Sequence, residues 1–409
     1  MSINKYIEKF FDELEIYEDK YNGCYYKNTI YKSINNFLQD KTEEKAYEVY
    51  KSFFEAYWIG IQEKVNPFLE LTQIMKNFEE YGGKLIEKHR DHYIHTVFVF
   101  LLGLAIYVQN SNFRKSFDEY ALNKEVYPDS YDTKNEEFFY RWGLASLSHD
   151  IAYPLEIIVK QANEYIKFVC EYNKPVEEIM GIKINLSTSS EFLDLPLLQP
   201  REKSRKKFNI NYQKFETRFA GDSISLLSYV ISENFKIELN KVKNDLNQFL
   251  KDMSEKNFID HGFFSSIIML RWYYYLIKET KWNPAYFYFP ILDSSTSILL
   301  HNYYKHRLMK SPFDLELIQV NKHPIAYLLI LCDELQEWDR KGYGRTSINK
   351  NTPSNFELII NESELHIKYK YLKAKEDKEF FKEKQKAINK VINIADLFNN
   401  GIKIEGVVK

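Results

Sequence analysis

The chain has 409 residues, 44% hydrophobic and 28% charged, with a formal net charge of −2. This is globular composition, with length for one large domain with additions or for two domains. The near-neutral charge argues against a dedicated nucleic-acid binder, and 13 glycines with no GxGxxG or GxxxxGK[ST] pattern argue against the common dinucleotide and P-loop folds.

Cys24, Cys170 and Cys332 are far apart, odd in number and form no CxxC. They fit a reducing cytoplasm and exclude a disulfide scaffold or a cysteine zinc site. The N-terminal stretch MSINKYIEKFFDELEIYEDK has no signal-peptide core. The longest apolar run, Thr96–Val108, is too short to span a bilayer. A cytoplasmic protein with no membrane partner is expected.

In chain order, residues 1–83 read as a helical N-terminal segment, with apolar residues at three- and four-residue spacing up to Gly82-Gly83. A long buried helix is predicted from near Lys84, carrying HRDHYIHTVFVFLLGLAIY. Residues 109–135 are polar and loop-like. A second buried helix carries WGLASLSHDIAYPLE, and Pro154 is expected to interrupt or kink it. From about 160 to 255 the pattern is helical but polar and reads as an insertion. Its basic loop REKSRKK, Arg201–Lys207, is read as a solvated surface loop. Three further apolar helices carry DHGFFSSIIMLRWYYYLI, SSTSILLHNYYKH and HPIAYLLILCDELQEWDR. The segment 346–409 changes character. NFELIINESELHIKYKY alternates around a polar turn and predicts a β-hairpin, and DKEFFKEKQKAINKVI predicts a closing amphipathic helix.

Ionisable residues interrupt five of the apolar helices: His92 and His95, His149-Asp150, His261, His301, and Asp333. Asp333 follows eight uncharged residues, IAYLLILC. One such residue is ordinarily a core group satisfied by a hydrogen bond. Five helices each carrying one are better explained by a shared metal centre, because a cation offsets buried negative charge and imidazole and carboxylate are its ligands.

The order His95…His149-Asp150…Asp333, in HTVFVFLLG, SLSHDIAYPLE and LLILCDELQEWDR, resembles the HD-domain superfamily of metal-dependent phosphohydrolases, in the form found in bacterial members. The resemblance covers roughly residues 84–345. It implies a mainly α HD-domain helical bundle, here with a helical N-terminal segment, a helical insertion and a small C-terminal α+β tail of β-hairpin plus helix. His261 in DHGFFSS and His301 in ILLHNYY fall where the two-metal branch has a histidine pair, after a longer spacing of about 110 residues. The resemblance implies a first metal on His95, His149, Asp150 and Asp333, and a second on Asp150, His261 and His301. One or two divalent ions are expected, of Mn, Fe, Zn, Ni, Co or Mg.

The implied reaction is hydrolysis of a nucleotide or cyclic-nucleotide phosphoester by metal-activated water, with His149 and Asp150 at its centre. Arg340, two helical turns past Asp333, is placed on the substrate, with Lys341 and Arg345 in reach of a phosphate. His92 is a candidate phosphate contact. Glu156 and Glu337 are candidate partners behind ligand histidines. The dipole at the start of its helix is expected to disfavour a protonated His261. His89, His306, His323 and His366 read as surface or capping residues. Two alternatives stay open: a nuclease on single-stranded nucleic acid, and a non-catalytic module that senses a nucleotide. Self-association also stays open.

Overall fold

A computed structural model describes residues 3–20, 23–57, 67–82, 91–121, 134–172, 193–198, 221–280, 284, 287–339, 353–371 and 378–408. The basic loop 201–207 and the residues Arg340, Lys341, Arg345 and His89 lie outside them. The protein is mainly α-helical with a small C-terminal α+β unit.

The N-terminal segment is α1 (Ile3–Glu13), α2 (Tyr25–Gln39), α3 (Glu43–Ala56) and α4 (Pro67–Gly82). α1 shows why they form: Ile3, Tyr6, Ile7, Phe10 and Phe11 make one apolar stripe, and all are buried. Thr42 caps α3 by accepting the Lys45 amide, with Glu43 and Glu44 in the first turn, where acidic residues suit the helix dipole.

The stripe of α1 and one face of α3 pack on α5 (Tyr93–Gln109). α5 is apolar all round, and every residue from Tyr93 to Val108 is buried. It begins later than the sequence suggests. Asp91 accepts the Ile94 and His95 amides, each at 3.2 Å, and so starts the helix just before its first histidine. The polar reading of 109–135 is corrected in part. α6 (Ser111–Ala121) follows α5 after a 99° bend. Its buried face needs only Phe113 and Phe117, one helical turn apart, so overall polarity hid it.

α7 (Lys134–Ser148) packs closely on α5. A side chain at Gly103 would meet the Trp142 ring at 2.2 Å, and Trp142 Nε1 donates to the Phe100 carbonyl at 2.8 Å. The expected interruption near Pro154 is present, but the break precedes the proline. α7 ends before His149, and residues 149–152 form a tight turn, with Tyr153 N donating to Asp150 O at 2.8 Å. α8 (Tyr153–Tyr172) then starts with Pro154 in its first turn, where a missing N–H costs nothing.

In the insertion, α9 (Ser223–Phe235) and α10 (Leu239–Glu255) are described. Next come α11 (His261–Thr280), α12 (Leu292–Tyr303) and α13 (Pro324–Leu335). α11 packs on α12, and α12 also on α7 and α13. Arg307, just past α12, donates to Asp245 at 2.6 Å and Asp252 at 3.1 Å and ties α10 down.

The tail holds the expected hairpin, β1 (Asn355–Ile360) and β2 (Leu365–Tyr371), then α14 (Lys378–Asn389). It adds an unforeseen strand, β3 (Ile402–Val408), parallel to β2. Gly406 lets it approach α14, since a side chain there would meet Phe381 at 2.4 Å. Among the described residues no single helix is long and apolar enough to cross a membrane.

Two histidines read as surface or capping residues are buried. His323 does cap α13, but it is fully buried, with Nε2 3.3 Å from Asp293. Asp293 also takes Arg141 at 2.9 Å and Tyr120 at 2.7 Å, and Arg141 takes Glu137 at 2.6 Å. Arg141 thus serves two carboxylates, burial keeps His323 toward its neutral form, and the cluster links α7, α12 and the start of α13. His366 sits 3.0 Å from Glu405 on the sheet. His306 is exposed.

Candidate metal centre

Four helices and one turn deliver the site. α5 brings His95 near its start, and α13 brings Asp333 near its end. The turn between α7 and α8 brings His149 and Asp150. α11 brings His261 at its first residue, and α12 brings His301 near its last turn. The helix breaks at the doublet, and both of its residues reach one site, with His149 Nε2 and Asp150 Oδ2 3.3 Å apart.

Five of the six side chains converge as two groups that share Asp150, and Asp333 lies beside the first. The ligand atoms of His95, His149 and Asp150 lie within 4.8 Å of one another, and so do those of Asp150, His261 and His301. Asp150 presents Oδ2 to His149 Nε2 at 3.3 Å and Oδ1 to His261 Nε2 at 3.3 Å. Asp333 Oδ1 lies 2.8 Å from His95 Nε2 and 3.9 Å from His149 Nε2. His261 Nε2 and His301 Nε2 are 3.2 Å apart.

Hydrogen-bond accounting decides what this arrangement is. Each histidine has Nδ1 against an acceptor: Gln336 Oε1 for His95 at 2.5 Å, Ser146 O for His149 at 2.7 Å, Glu156 Oε2 for His261 at 2.6 Å, and Ile298 O for His301. An acceptor there fixes the proton on Nδ1, so each neutral ring aims the Nε2 lone pair inward. Lone pairs then face lone pairs and carboxylate oxygens. Among the described residues the buried Nε2 of His149 has no hydrogen-bond partner. Such a set is stable only with cations between its members, either protons or metal ions. The buried His/Asp groups are therefore able to hold a metal ion, and their donors fit one.

The electrostatics describe the protonated alternative, with protons as the cations. Burial would raise the Asp333 carboxyl, but the His95 hydrogen bond and the His95, His149 and His301 charges hold it well below the usual range. Burial would also raise Glu156, yet its bond to His261 and the nearby Lys160 bring it to about 2. His261 is raised to about 9, because Glu156 and Asp150 outweigh its burial. The helix-dipole expectation is corrected on that ground: a touching carboxylate outweighs the partial charge of a helix end. His301 falls to about 4, through burial and then repulsion from His261 and His149.

The remaining candidates divide. Glu156 stands behind His261. Glu337 does not stand behind a ligand. α13 ends at Leu335, so Glu337 leaves the helical path and takes Lys384 at 2.6 Å. The residue that backs His95 is Gln336, which the sequence reading missed. His92 precedes α5 and lies over the Tyr153 ring, with centroids 3.7 Å apart. Its own ring is 6.1 Å from that of His95. Asn302, also missed, places Nδ2 3.2 Å from His261 Nε2. The only signals for Gln336 and Asn302 were their positions, three residues after one ligand and one after another.

Comparison with protein-family models, with curated proteins and with solved structures finds no match to this chain.

Proposed function

We infer that the chain is a metal-dependent phosphohydrolase of the HD type, acting on the phosphoester of a nucleotide or cyclic nucleotide. One observation carries the reading: four imidazoles with Nδ1 tied back aim Nε2 at two carboxylates, and Asp150 offers an oxygen to each group. His95, His149, Asp150 and Asp333 would hold one divalent ion, and Asp150, His261 and His301 a second. The imidazole and carboxylate set suits Mn, Fe, Zn, Ni or Co better than Mg, which prefers all-oxygen sites. When bound, such ions supply Lewis acidity toward phosphoryl oxygens and acidify water.

The chain's own residues then have defined tasks. Gln336, Ser146, Glu156 and Ile298 keep the four rings in one tautomer. Glu156 lends negative charge to His261. Asp333, with its side chain 32% exposed, faces the approach of substrate. No protein nucleophile competes among the described residues near the site: Cys332 is fully buried and its thiol is pushed well up by that burial.

The test is metal content by elemental analysis, followed by hydrolysis of a panel of nucleotides, cyclic nucleotides and oligonucleotides at several salt concentrations. The expected result is a bound transition metal and mononucleotide or cyclic-nucleotide turnover that survives raised ionic strength. A small substrate holds few phosphates, whereas a polymer binder loses affinity steeply with salt. Turnover confined to oligonucleotides and steeply salt-sensitive would favour the nuclease. Nucleotide binding without turnover would favour the sensor.

A further inference from the structure

We propose that Gln336 is a positioning residue for the first metal group, and that the C-terminal α+β unit holds it in place. This rests on the reading of His95 as a metal ligand. Gln336 is fully buried directly after α13. Its Nε2 donates to the Trp338 carbonyl at 2.6 Å, which settles the amide's orientation: Oε1 faces His95 Nδ1 at 2.5 Å and can only accept. His95 is therefore gripped at both nitrogens by residues three apart in one segment, Asp333 at Nε2 and Gln336 at Nδ1.

Its helix holds that segment by one last bond, Gln336 N donating to Cys332 O at 3.0 Å. Beyond that bond the tail supplies most of the grip. Trp338 stacks on Phe356 of β1 with centroids 3.8 Å apart. Tyr369 of β2 donates to the Leu335 carbonyl at 2.6 Å, and the Asp339 amide donates to Pro353 O at 2.9 Å. Lys384 of α14 bridges Glu337 at 2.6 Å and Glu334 at 3.3 Å. The sheet and its helix thus clamp both sides of Gln336. The tail acts on the metal group through one amide, without supplying a ligand.

Two measurements on the full chain test this: zinc or manganese affinity by titration, and the protonation of His95 by nitrogen NMR of histidine-labelled, metal-free protein at alkaline pH. In the wild type, Nδ1 carries the proton. In Gln336→Leu the neutral ring moves it to Nε2, toward Asp333, and the affinity of one metal falls about 10–100-fold. Gln336→Glu keeps an acceptor and recovers most of that affinity. Phe356→Ala gives a smaller loss that disappears in the Gln336→Leu background. Unchanged affinity in a folded Gln336→Leu protein, or no recovery in Gln336→Glu, overturns the proposal and leaves the metal reading standing. A wild-type His95 protonated on Nε2 overturns it even if the variants do not fold. A wild type that takes up no metal ends the metal reading instead, while the NMR comparison still decides the role of Gln336.

Discussion

The two halves of the site use the same ligand types but are backed differently. In the His95–His149 half, both Nδ1 protons go to neutral oxygens, the Gln336 amide and the Ser146 carbonyl. The rings are almost inaccessible, and the helices that carry them are wrapped by the N-terminal segment and the tail. In the His261–His301 half, one Nδ1 proton goes to a carboxylate, Glu156, and His261 is 18% exposed. In the first half the rings are closed off and the exposed member is the Asp333 carboxylate, at 32%. The second half exposes one of its rings and gains basicity from a charge behind it. A bound ion should therefore be retained in the first half mainly by geometry, and in the second by the Glu156–His261 pair.

The change with the largest expected effect erases the difference. Asp150 is the residue common to both groups, so Asp150→Ala should bind neither metal. Phosphoester hydrolysis should fall more than about 10³-fold, beyond the cost of one lost transition-state hydrogen bond. Wild-type metal content in this variant, by elemental analysis, would end the metal reading. Next, His261→Ala and His301→Ala should each leave about one metal per chain if the wild type holds two. Full wild-type stoichiometry in both would make the second half purely structural.

Gly262→Ala probes the second half without replacing a ligand. A side chain there would sit 2.7 Å from His301 Cε1 and 3.1 Å from Ile298 O, the very carbonyl that takes His301 Nδ1. The helices would have to part, at a cost of about 1–3 kcal/mol typical of overpacking. We expect a lower unfolding midpoint and weaker binding of one metal, with the other unchanged. Equal weakening of both would mean that the halves are mechanically one unit.

How legible this was from the sequence depended on what each residue was doing. The ligand candidates stood out because a charged residue in an apolar helix has few explanations; Asp333 after IAYLLILC is the clearest. The helices themselves followed from periodicity. What escaped reading were features set by where a helix stops. Gln336 takes the place expected of Glu337 because α13 ends at Leu335, a boundary that no glycine or proline marks. The doublet's turn was hidden because Pro154 marks the start of α8 and the break comes before it. The Arg141–Asp293–His323 cluster was invisible because its members are 30 to 182 residues apart and look ordinary one by one. β3 was missed because its partner β2 is reached only through a crossover containing α14.

The two smallest changes test whether the second half really depends on a charge. Glu156 has two partners, His261 through Oε2 and Lys160 through Oε1. Lys160 is 53% exposed, and an exposed ion pair contributes little because solvent screens it and a flexible chain must be ordered. Lys160→Met should therefore change metal affinity less than about threefold, in line with the few tenths of a kcal/mol of an i,i+4 pair. Glu156→Gln is the informative partner. It keeps the shape and an acceptor for Nδ1 but removes the charge, and loss of such a partner costs about 10–100-fold in metal affinity. It also makes the second half resemble the first, where an amide already backs His95. If Glu156→Gln binds its second metal as tightly as the wild type, the charge is dispensable and the halves differ only in exposure. If Lys160→Met matches Glu156→Gln, the exposed lysine rather than the carboxylate orients His261. The expected order, a large loss for Glu156→Gln and almost none for Lys160→Met, places the control of the open half on the single contact between Glu156 and His261.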